Sequence, residues 1–191
     1  MKRLLLISIC MVIVMTCAAV HAKEKAPLGN GNFSVKLDYI AFTDDHFDDR
    51  SNEDDGLYIG LEGFGKIAPN LYLGGEVGTA GNISIGGEDI HFAPFELNLK
   101  YAKETARNFV VDFGAGLSYC YTELTHRHFW GGRDETRDDW LLGGQVFADL
   151  TYKIKWFSIG VNGKYQITED FKDEGIDLSN YRLGVQLGIV F

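Results

Sequence analysis

Three residues that could act together in acyl transfer or hydrolysis, Ser118, Glu123 and His126, lie close together in the chain. Such chemistry needs a hydroxyl nucleophile, a basic imidazole beside it and a group that orients the imidazole. Side chains of a β-strand alternate between its two faces, and residues 109–119 alternate as a strand does. Ser118 then falls on the face that becomes the interior, away from a substrate at the rim. We therefore predict no catalytic residue here and expect no enzyme.

Metal binding is the second chemistry that the side chains allow. Residues 43–56 hold seven carboxylates and, among basic residues, Arg50: Asp44, Asp45, Asp48, Asp49, Glu53, Asp54 and Asp55. Their order does not give the alternate ligands and the sixth-position glycine of a calcium loop. We expect this acidic segment to attract divalent cations without forming a dedicated metal site.

Histidine is the third candidate. His46, His91, His126 and His128 all fall on what becomes the outer side, and an extended His126-Arg127-His128 would place two imidazoles on one face. Zinc binding or pH sensing is one interpretation, and simple exposure in loops is the other. Because no cysteine supports a zinc site, we predict exposed histidines, no bound metal and no cofactor.

A larger polar set recurs at alternate positions inside apolar segments. On strands these side chains share one face, which would also carry Asn98, Gln145, Asn162 and Gln166. Both signs of charge are present, so the predicted network is one of ion pairs. Its charged members are Lys36, Asp38, Glu62, Glu76, Glu96, Lys100, Asp112, Asp149, Lys164 and Arg182.

The elements that must position this network are β-strands. From Phe33 to Ala41 apolar and polar residues alternate strictly, which is typical of a strand with one apolar face. The same period recurs in segments near 57–61, 71–77, 93–101, 109–119, 142–152, 157–165 and 181–191, which makes eight. Short connections at 66–70, 102–108 and 153–155 alternate with long ones at 43–56, 81–89, 121–139 and 167–179. This pattern predicts an all-β, eight-stranded antiparallel up-and-down barrel with both ends of the strand series on one side.

The apolar face could point inward, as in a soluble lipocalin-like barrel, or outward to lipid. Several segments reach about 10–12 residues, long enough to cross a bilayer. Glycines such as Gly114, Gly116 and Gly184 fall on the polar face, where small residues suit a narrow interior. Tyrosine and tryptophan gather at segment ends, as in an interfacial girdle. We therefore predict a transmembrane barrel with a polar lumen that its own side chains fill.

The two ends of the sequence add targeting information. Lys2 and Arg3 precede an apolar run and Val20-His21-Ala22, which predicts a signal peptide over 1–22, a short periplasmic leader over 23–32 and a barrel over 33–191. Beyond the signal, 16 basic and 27 acidic side chains remain, which disfavours nucleic acid as a partner. Cys120 is the cysteine that remains, so we expect no internal disulfide.

The last segment ends on phenylalanine with apolar residues at every second position before it. These residues are Tyr181, Leu183, Val185, Leu187, Ile189 and Phe191. This segment resembles the C-terminal assembly signal of outer-membrane proteins, and the whole barrel resembles the small family that includes OmpX, the OmpA transmembrane domain and the opacity-type surface proteins. The resemblance implies a Gram-negative outer-membrane location, contact with lipid and lipopolysaccharide, insertion by the barrel assembly machinery, and a monomer.

The fold leaves the function open. We expect a non-enzymatic surface barrel with a plugged lumen, acting in envelope integrity or in recognition through its outer loops. The candidate contact residues are His126, His128, Phe129, Trp130 and Arg133. One alternative is a channel for small solutes or apolar compounds resembling OmpW, for which only Phe92, Phe147 and Trp156 offer inward apolar surface. The other is a lipid A-modifying enzyme resembling PagL or PagP, whose His-x-Ser spacing is absent.

Overall fold

The computed structural model describes residues 26–43, 55–85, 88–126, 135–170 and 177–191. These residues form eight strands that close into one barrel, each strand antiparallel to the next and β8 paired with β1. The strands are β1 (Gly31–Phe42), β2 (Asp55–Ala68), β3 (Leu71–Ile85), β4 (Glu88–Ala106), β5 (Phe109–His126), β6 (Glu135–Ile154), β7 (Phe157–Thr168) and β8 (Asn180–Val190). The predicted fold class and strand count are confirmed. Within the described residues there is no helix long and apolar enough to cross a membrane.

Alternation along each strand separates an apolar outer wall from a polar interior. In β1, Phe33, Val35 and Leu37 are 42–46% exposed, whereas the side chains between them are buried. A barrel wall covered with exposed apolar side chains is favourable in lipid, because water does not contact these side chains there. The closed ladder also satisfies the backbone groups that a bilayer cannot hydrogen-bond.

Three tight connections lie at one end of the barrel, which we call the turn end. Residues 69–70, 107–108 and 155–156 each join two strands. Asn70, Asn108 and Lys155 adopt positive φ values of 62°, 69° and 59°. Asparagine tolerates this left-handed conformation well, and it allows a two-residue connection to reverse the chain. Both ends of the strand series, at Gly31 and Val190, lie at the same end.

The opposite end, which we call the loop end, differs from the sequence prediction. The expected connection over 81–89 is wrong, because β3 continues to Ile85 and β4 begins at Glu88. The expected connection over 121–139 is also too long, because β5 reaches His126 and β6 starts at Glu135. Beyond the apolar wall no alternation is needed to keep strands paired, since backbone hydrogen bonds alone continue the ladder. The strands therefore extend past the point where their sequence pattern ends.

The interior contains three layers. A buried apolar cluster lies toward the loop end: Ile40, Phe42, Tyr58, Ala80, Ile90, Phe92, Cys120, Leu141 and Leu178. A second lies toward the turn end: Leu28, Phe64, Tyr72, Ala102, Val110 and Phe147. The charged residues occupy the space between them, since Arg182 lies 4.4 Å from the Tyr58 ring centre and Lys100 lies 4.2 Å from that of Phe64.

The turn-end cluster includes a segment that precedes the first strand. Leu28 is 2% exposed, and its backbone N–H donates to Tyr72 Oη at 3.1 Å. Tyr72 in turn donates to the carbonyl of Gly29 at 3.2 Å. The N–H groups of Asn30 and Gly31 donate to the carbonyl of Phe191 at 2.5 and 3.1 Å. The segment 26–30 therefore folds over the turn end of the lumen and is tied to the last residue of the chain.

Candidate functional site

The ten charged residues expected inside the barrel all lie in its interior. Each is at most 5% exposed, and every strand contributes at least one of them. Asn98, Gln145, Asn162 and Gln166 are buried beside them. Small residues make room for this content: a Cβ on Gly184 would overlap Asp38 Oδ1.

Half of the network lies toward the loop end and joins opposite walls. Lys164 Nζ lies 2.7 Å from Glu76 and 2.5 Å from Glu96, and Arg182 pairs with the same two carboxylates. Lys164 on β7 and Glu76 on β3 are four strands apart in a barrel of eight, as are Arg182 on β8 and Glu96 on β4. Tyr58 adds a hydrogen bond to Glu76 at 2.7 Å. These ion pairs therefore cross the full width of the lumen.

The other half of the network lies toward the turn end. Lys36 pairs with Glu62 at 2.6 Å, and its 3.2 Å contact with Glu76 links the two halves. Lys100 lies 3.0 Å from both Glu62 and Asp149. The Lys100 ammonium also lies 5.5 Å from the ring centre of Phe147. The face of an aromatic ring attracts a cation, so this contact is favourable. The network thus ends against the apolar cluster below it.

Within this ten-residue network four cations face six carboxylates, and one further cation, Lys66, is buried nearer the turn end. Among the described residues, Asp38 accepts one hydrogen bond, from Asn162 at 2.9 Å, and no donor reaches its second oxygen. The Lys100 ammonium lies 3.4 Å from Asp112, and no described donor hydrogen-bonds to this carboxylate. Buried charges cost several kcal/mol each in lost hydration unless they are paired. The pairing of the four cations is therefore what allows the barrel to hold this interior.

The outer wall near the loop end carries an aromatic cluster around Trp140. Its ring stacks on Tyr119 with centres 4.6 Å apart, and Tyr121 and Phe95 lie 5.3 and 6.0 Å away. Such a group is typical of the interface between a bilayer and water. Above it the strands carry polar residues, including His91, whose Nε2 is 3.1 Å from the hydroxyl of Thr79.

This chain resembles known proteins in its fold. No family model matches this sequence, and no curated protein sequence matches it. The solved structure of neisserial surface protein A superimposes with a TM-score of 0.63 at 12% identity, covering 85% of this chain and 98% of that one. The N-terminal barrel domain of Pseudomonas aeruginosa OprF gives 0.57 at 13% identity, with 85% and 98% covered. The Yersinia pestis attachment invasion locus protein Ail gives 0.54 at 12% identity, with 84% and 98% covered.

The chain has the fold of a small eight-stranded outer-membrane β-barrel. The solved neighbours are bacterial outer-membrane proteins, and at these identities the likeness establishes the fold alone. In barrels of this kind short turns face the periplasm and long loops face outward. In a barrel of this kind, the turn end would face the periplasm and the loop end would face outward.

The end of this barrel's sequence presents the residues of the expected assembly signal outward. Its six members, Tyr181, Leu183, Val185, Leu187, Ile189 and Phe191, are 41–62% exposed. They alternate with buried or half-buried residues such as Arg182 and Gln186, so the pattern in the sequence corresponds to one apolar stripe on the wall. β8 also closes the barrel against β1 over eleven residue pairs.

The residues considered for catalysis do not form one site. Ser118 is 2% exposed in the interior, where its hydroxyl accepts a hydrogen bond from Gln166 at 2.7 Å. Glu123 lies on the opposite face of β5 from Ser118 and accepts a hydrogen bond from the Tyr121 hydroxyl at 3.2 Å. His126 is the last residue of β5, opposite Glu135.

The loop residues considered for partner or metal binding fall largely outside the described residues. His128, Phe129, Trp130 and Arg133 are among them, as is the acidic run Asp44–Asp54; Asp55 begins β2. Within the described residues, no group of three or more metal-binding side chains has the geometry to hold an ion.

Inward aromatic residues were predicted incompletely. Phe92 and Phe147 do lie inside, but Trp156 is 66% exposed, so its inward placement is wrong. It occupies the connection between β6 and β7, where strand alternation does not apply. Tyr58, Phe64 and Tyr72 were missed, although they share the parity of Glu62 and Glu76 and are at most 2% exposed. Parity alone would have identified them.

Proposed function

We propose that this protein is a non-enzymatic surface barrel of the outer membrane, which recognises a partner through the extended outer ends of β3–β6. The observation that carries this proposal is the uneven length of the strands. β3, β4, β5 and β6 have 15, 19, 18 and 20 residues, whereas the other four have 11–14. Four neighbouring strands therefore form a projecting sheet on one side of the outer mouth.

The projection is visible in the strand register. β6 pairs with β5 from Glu135 onward, but its pairs with β7 begin only at Gly143. β3 pairs with β2 up to Gly81 and continues to Ile85 beside β4. A bilayer is spanned by about 9–11 tilted residues per strand, so strands of 18–20 residues reach well past the headgroups. A surface that extends beyond the headgroups in this way is suited to contact with another molecule.

The charge of the outer end indicates the class of partner. Its described rim carries Glu123 and Asp138 on the projecting strands, with Arg137 as a basic neighbour. Glu169 and Asp170 follow β7, and the N–H of Glu169 donates to the carbonyl of Leu142 on β6 at 2.9 Å, so these two carboxylates lie beside the projecting sheet. A solved structure of Ail holds a heparin analogue, sucrose octasulfate, which is a polyanion. We propose the opposite preference for this chain, a cationic surface or peptide, with divalent cations as competitors in the acidic segment 43–56.

A channel is the less favoured alternative. Ion pairs join opposite walls and apolar clusters lie on both sides of them, an arrangement that leaves ions without a hydrated route. A lipid A-modifying activity would need a nucleophile at the rim, and Ser118 lies in the interior. We also propose insertion by the barrel assembly machinery as a monomer in contact with lipid and lipopolysaccharide.

The partner class can be tested with the full mature chain in lipid nanodiscs. Fluorescent poly-lysine should bind more tightly than fluorescent heparin. The variant Glu123→Gln/Asp138→Asn/Glu169→Gln should bind poly-lysine at least about threefold more weakly, since three surface charges at about 0.2–1 kcal/mol each contribute about 0.6–3 kcal/mol together. Arg137→Gln is the matched control, and it should bind at least as tightly as the parent. Stronger binding of heparin, or equal binding by the parent and the triple variant, would contradict the proposal.

A further inference from the structure

One sector of the turn end carries exposed positive charge. Lys103 lies on β4, Arg107 in the β4–β5 connection and Lys155 in the β6–β7 connection, and all three are exposed. None of them forms an ion pair with another described residue. The carboxylate in this sector, Glu104, is engaged elsewhere, since it accepts hydrogen bonds from Lys153 Nζ and from the N–H of Asn108, both at 2.9 Å.

These cations belong to one continuous patch. The two connections that carry Arg107 and Lys155 flank the β5–β6 pair, in which Phe109 lies opposite Tyr152. The N–H of Lys153 donates to the carbonyl of Asn108 at 2.8 Å, so the ends of the two hairpins are in direct contact. We call the surface formed by Lys103, Arg107, Lys155 and the neighbouring outward aromatic residues the β4–β7 rim patch.

The patch adjoins an aromatic and apolar belt. Trp156 is 66% exposed, Ile154 50%, Phe109 42% and Tyr152 37%. The rings of Phe109 and Tyr152 lie 4.7 Å apart. Exposed tryptophan and tyrosine at the edge of an apolar wall lie at the level of lipid headgroups. The cations next to them are therefore at the height of lipid phosphates.

Among the described residues, the exposed positive charge of the turn end is confined to this sector. In the described turn-end residues of the opposite sector, 26–31, 64–71 and 188–191, the basic residue is Lys66, which is 5% exposed. At the other end of the same strands the rim is acidic, with Glu123, Asp138 and Asp139 around Arg137. An evenly solvated surface would not separate charge in this way along the same strands.

We propose that the β4–β7 rim patch binds the phosphate headgroups of anionic phospholipids in the leaflet at the turn end. Lipid is the occupant that fits, because Lys103 lies on the outer wall and Arg107 and Lys155 lie in the turns at its edge, beside exposed aromatic rings. A headgroup phosphate can contact these cations there while its acyl chains cover the apolar belt. Each cation near an anionic surface favours binding by roughly fivefold. A patch of three would therefore enrich anionic lipid around one side of the barrel.

The test uses the fluorescence of Trp156 in a folded parent that carries Trp130→Phe and Trp140→Phe. The protein is inserted into phosphatidylethanolamine vesicles that contain a minor fraction of phosphatidylglycerol, with bromine on the acyl chains of one lipid or the other. At equal mole fraction, brominated phosphatidylglycerol should quench Trp156 at least threefold more effectively. Lys103→Gln/Arg107→Gln/Lys155→Gln should remove this preference, and Arg137→Gln, at the outer end, should retain it.

Equal quenching by the two brominated lipids in the parent would overturn the proposal. So would retention of the preference by the triple variant, provided that its heat-modifiable migration shows a folded barrel. If the triple variant does not fold, the parent in high salt replaces it, because screening weakens exposed charge contacts and should reduce the preference.

Discussion

Arg182 provides a sharp test of the interior network. Arg182→Met keeps most of the length and apolar bulk of the side chain but removes its charge. The side chain is 0% exposed, Nη1 lies 3.2 Å from Glu76 and Nη2 contacts Glu96. Without it, Glu76 would still pair with Lys36 and Lys164, but Glu96 would share Lys164 alone. The ten-residue network would then be left with three cations and six carboxylates.

The expected cost follows from the burial of these groups. Removing one partner of a buried ion pair typically destabilises a protein by about 3–5 kcal/mol, because the remaining charge is left without compensation. We expect Arg182→Met to lower the free energy of unfolding by that amount. The double variant Arg182→Met/Glu96→Gln removes the carboxylate as well, so it should recover roughly 1–3 kcal/mol of the loss through the coupling of the two positions.

The assay is urea unfolding of the refolded chain in thin bilayers, followed by tryptophan fluorescence and by heat-modifiable migration. Lys103→Met is the matched control in bilayers without anionic lipid, because Lys103 is exposed, and it should stay within about 0.5 kcal/mol of the parent there. Our account of the network is refuted if Arg182→Met remains within about 1 kcal/mol of the parent. It is also refuted if the double variant loses as much stability as the sum of the losses measured separately for Arg182→Met and Glu96→Gln.

Three further predictions concern the packing of the lumen. Gly184→Ala should cost about 1–3 kcal/mol in urea unfolding, because the added Cβ overlaps Asp38 Oδ1. Gly81→Ala should be near neutral, because a Cβ there would have no described atom within 4 Å. Equal effects of the two substitutions would contradict this packing. Leu28→Asp should lower the free energy of unfolding by about 2–4 kcal/mol, because it buries a carboxylate in an apolar cluster. An unchanged free energy of unfolding would place Leu28 outside the lumen. Cys120, which is 0% exposed, should react with a maleimide only after unfolding, and rapid labelling of the folded protein would indicate an accessible lumen.

The sequence predicts the barrel wall well because one physical constraint acts on it throughout. Between lipid and a narrow polar lumen each residue must suit one of two environments, so the period-two pattern carries the orientation of nearly every side chain. That constraint places Lys36, Glu76 and Arg182 in the interior, as the structure has them. It also explains why the tight turns could be recognised, since the pattern stops abruptly at each one.

Other features depend on contacts that alternation does not encode. Which cation meets which carboxylate depends on the shear of the barrel, which brings Arg182 to Glu96 across 86 residues of sequence. Trp156 lies in a turn, where parity has no meaning. The projecting ends of β3–β6 lie above the bilayer, where water surrounds both faces and no alternation is imposed. The segment around Leu28 was expected to be a simple leader, and its anchoring by Tyr72 depends on a contact 44 residues away.

Electrical recording of the folded protein in planar bilayers tests the central claim most directly. If the ion pairs across the lumen and the apolar clusters on both sides of them close the barrel, heat-modifiable, fully inserted protein should give no steady conductance, with or without divalent cations. Stable, ohmic current steps that scale with the amount of folded protein inserted would contradict this account and would make a channel the better explanation of the fold.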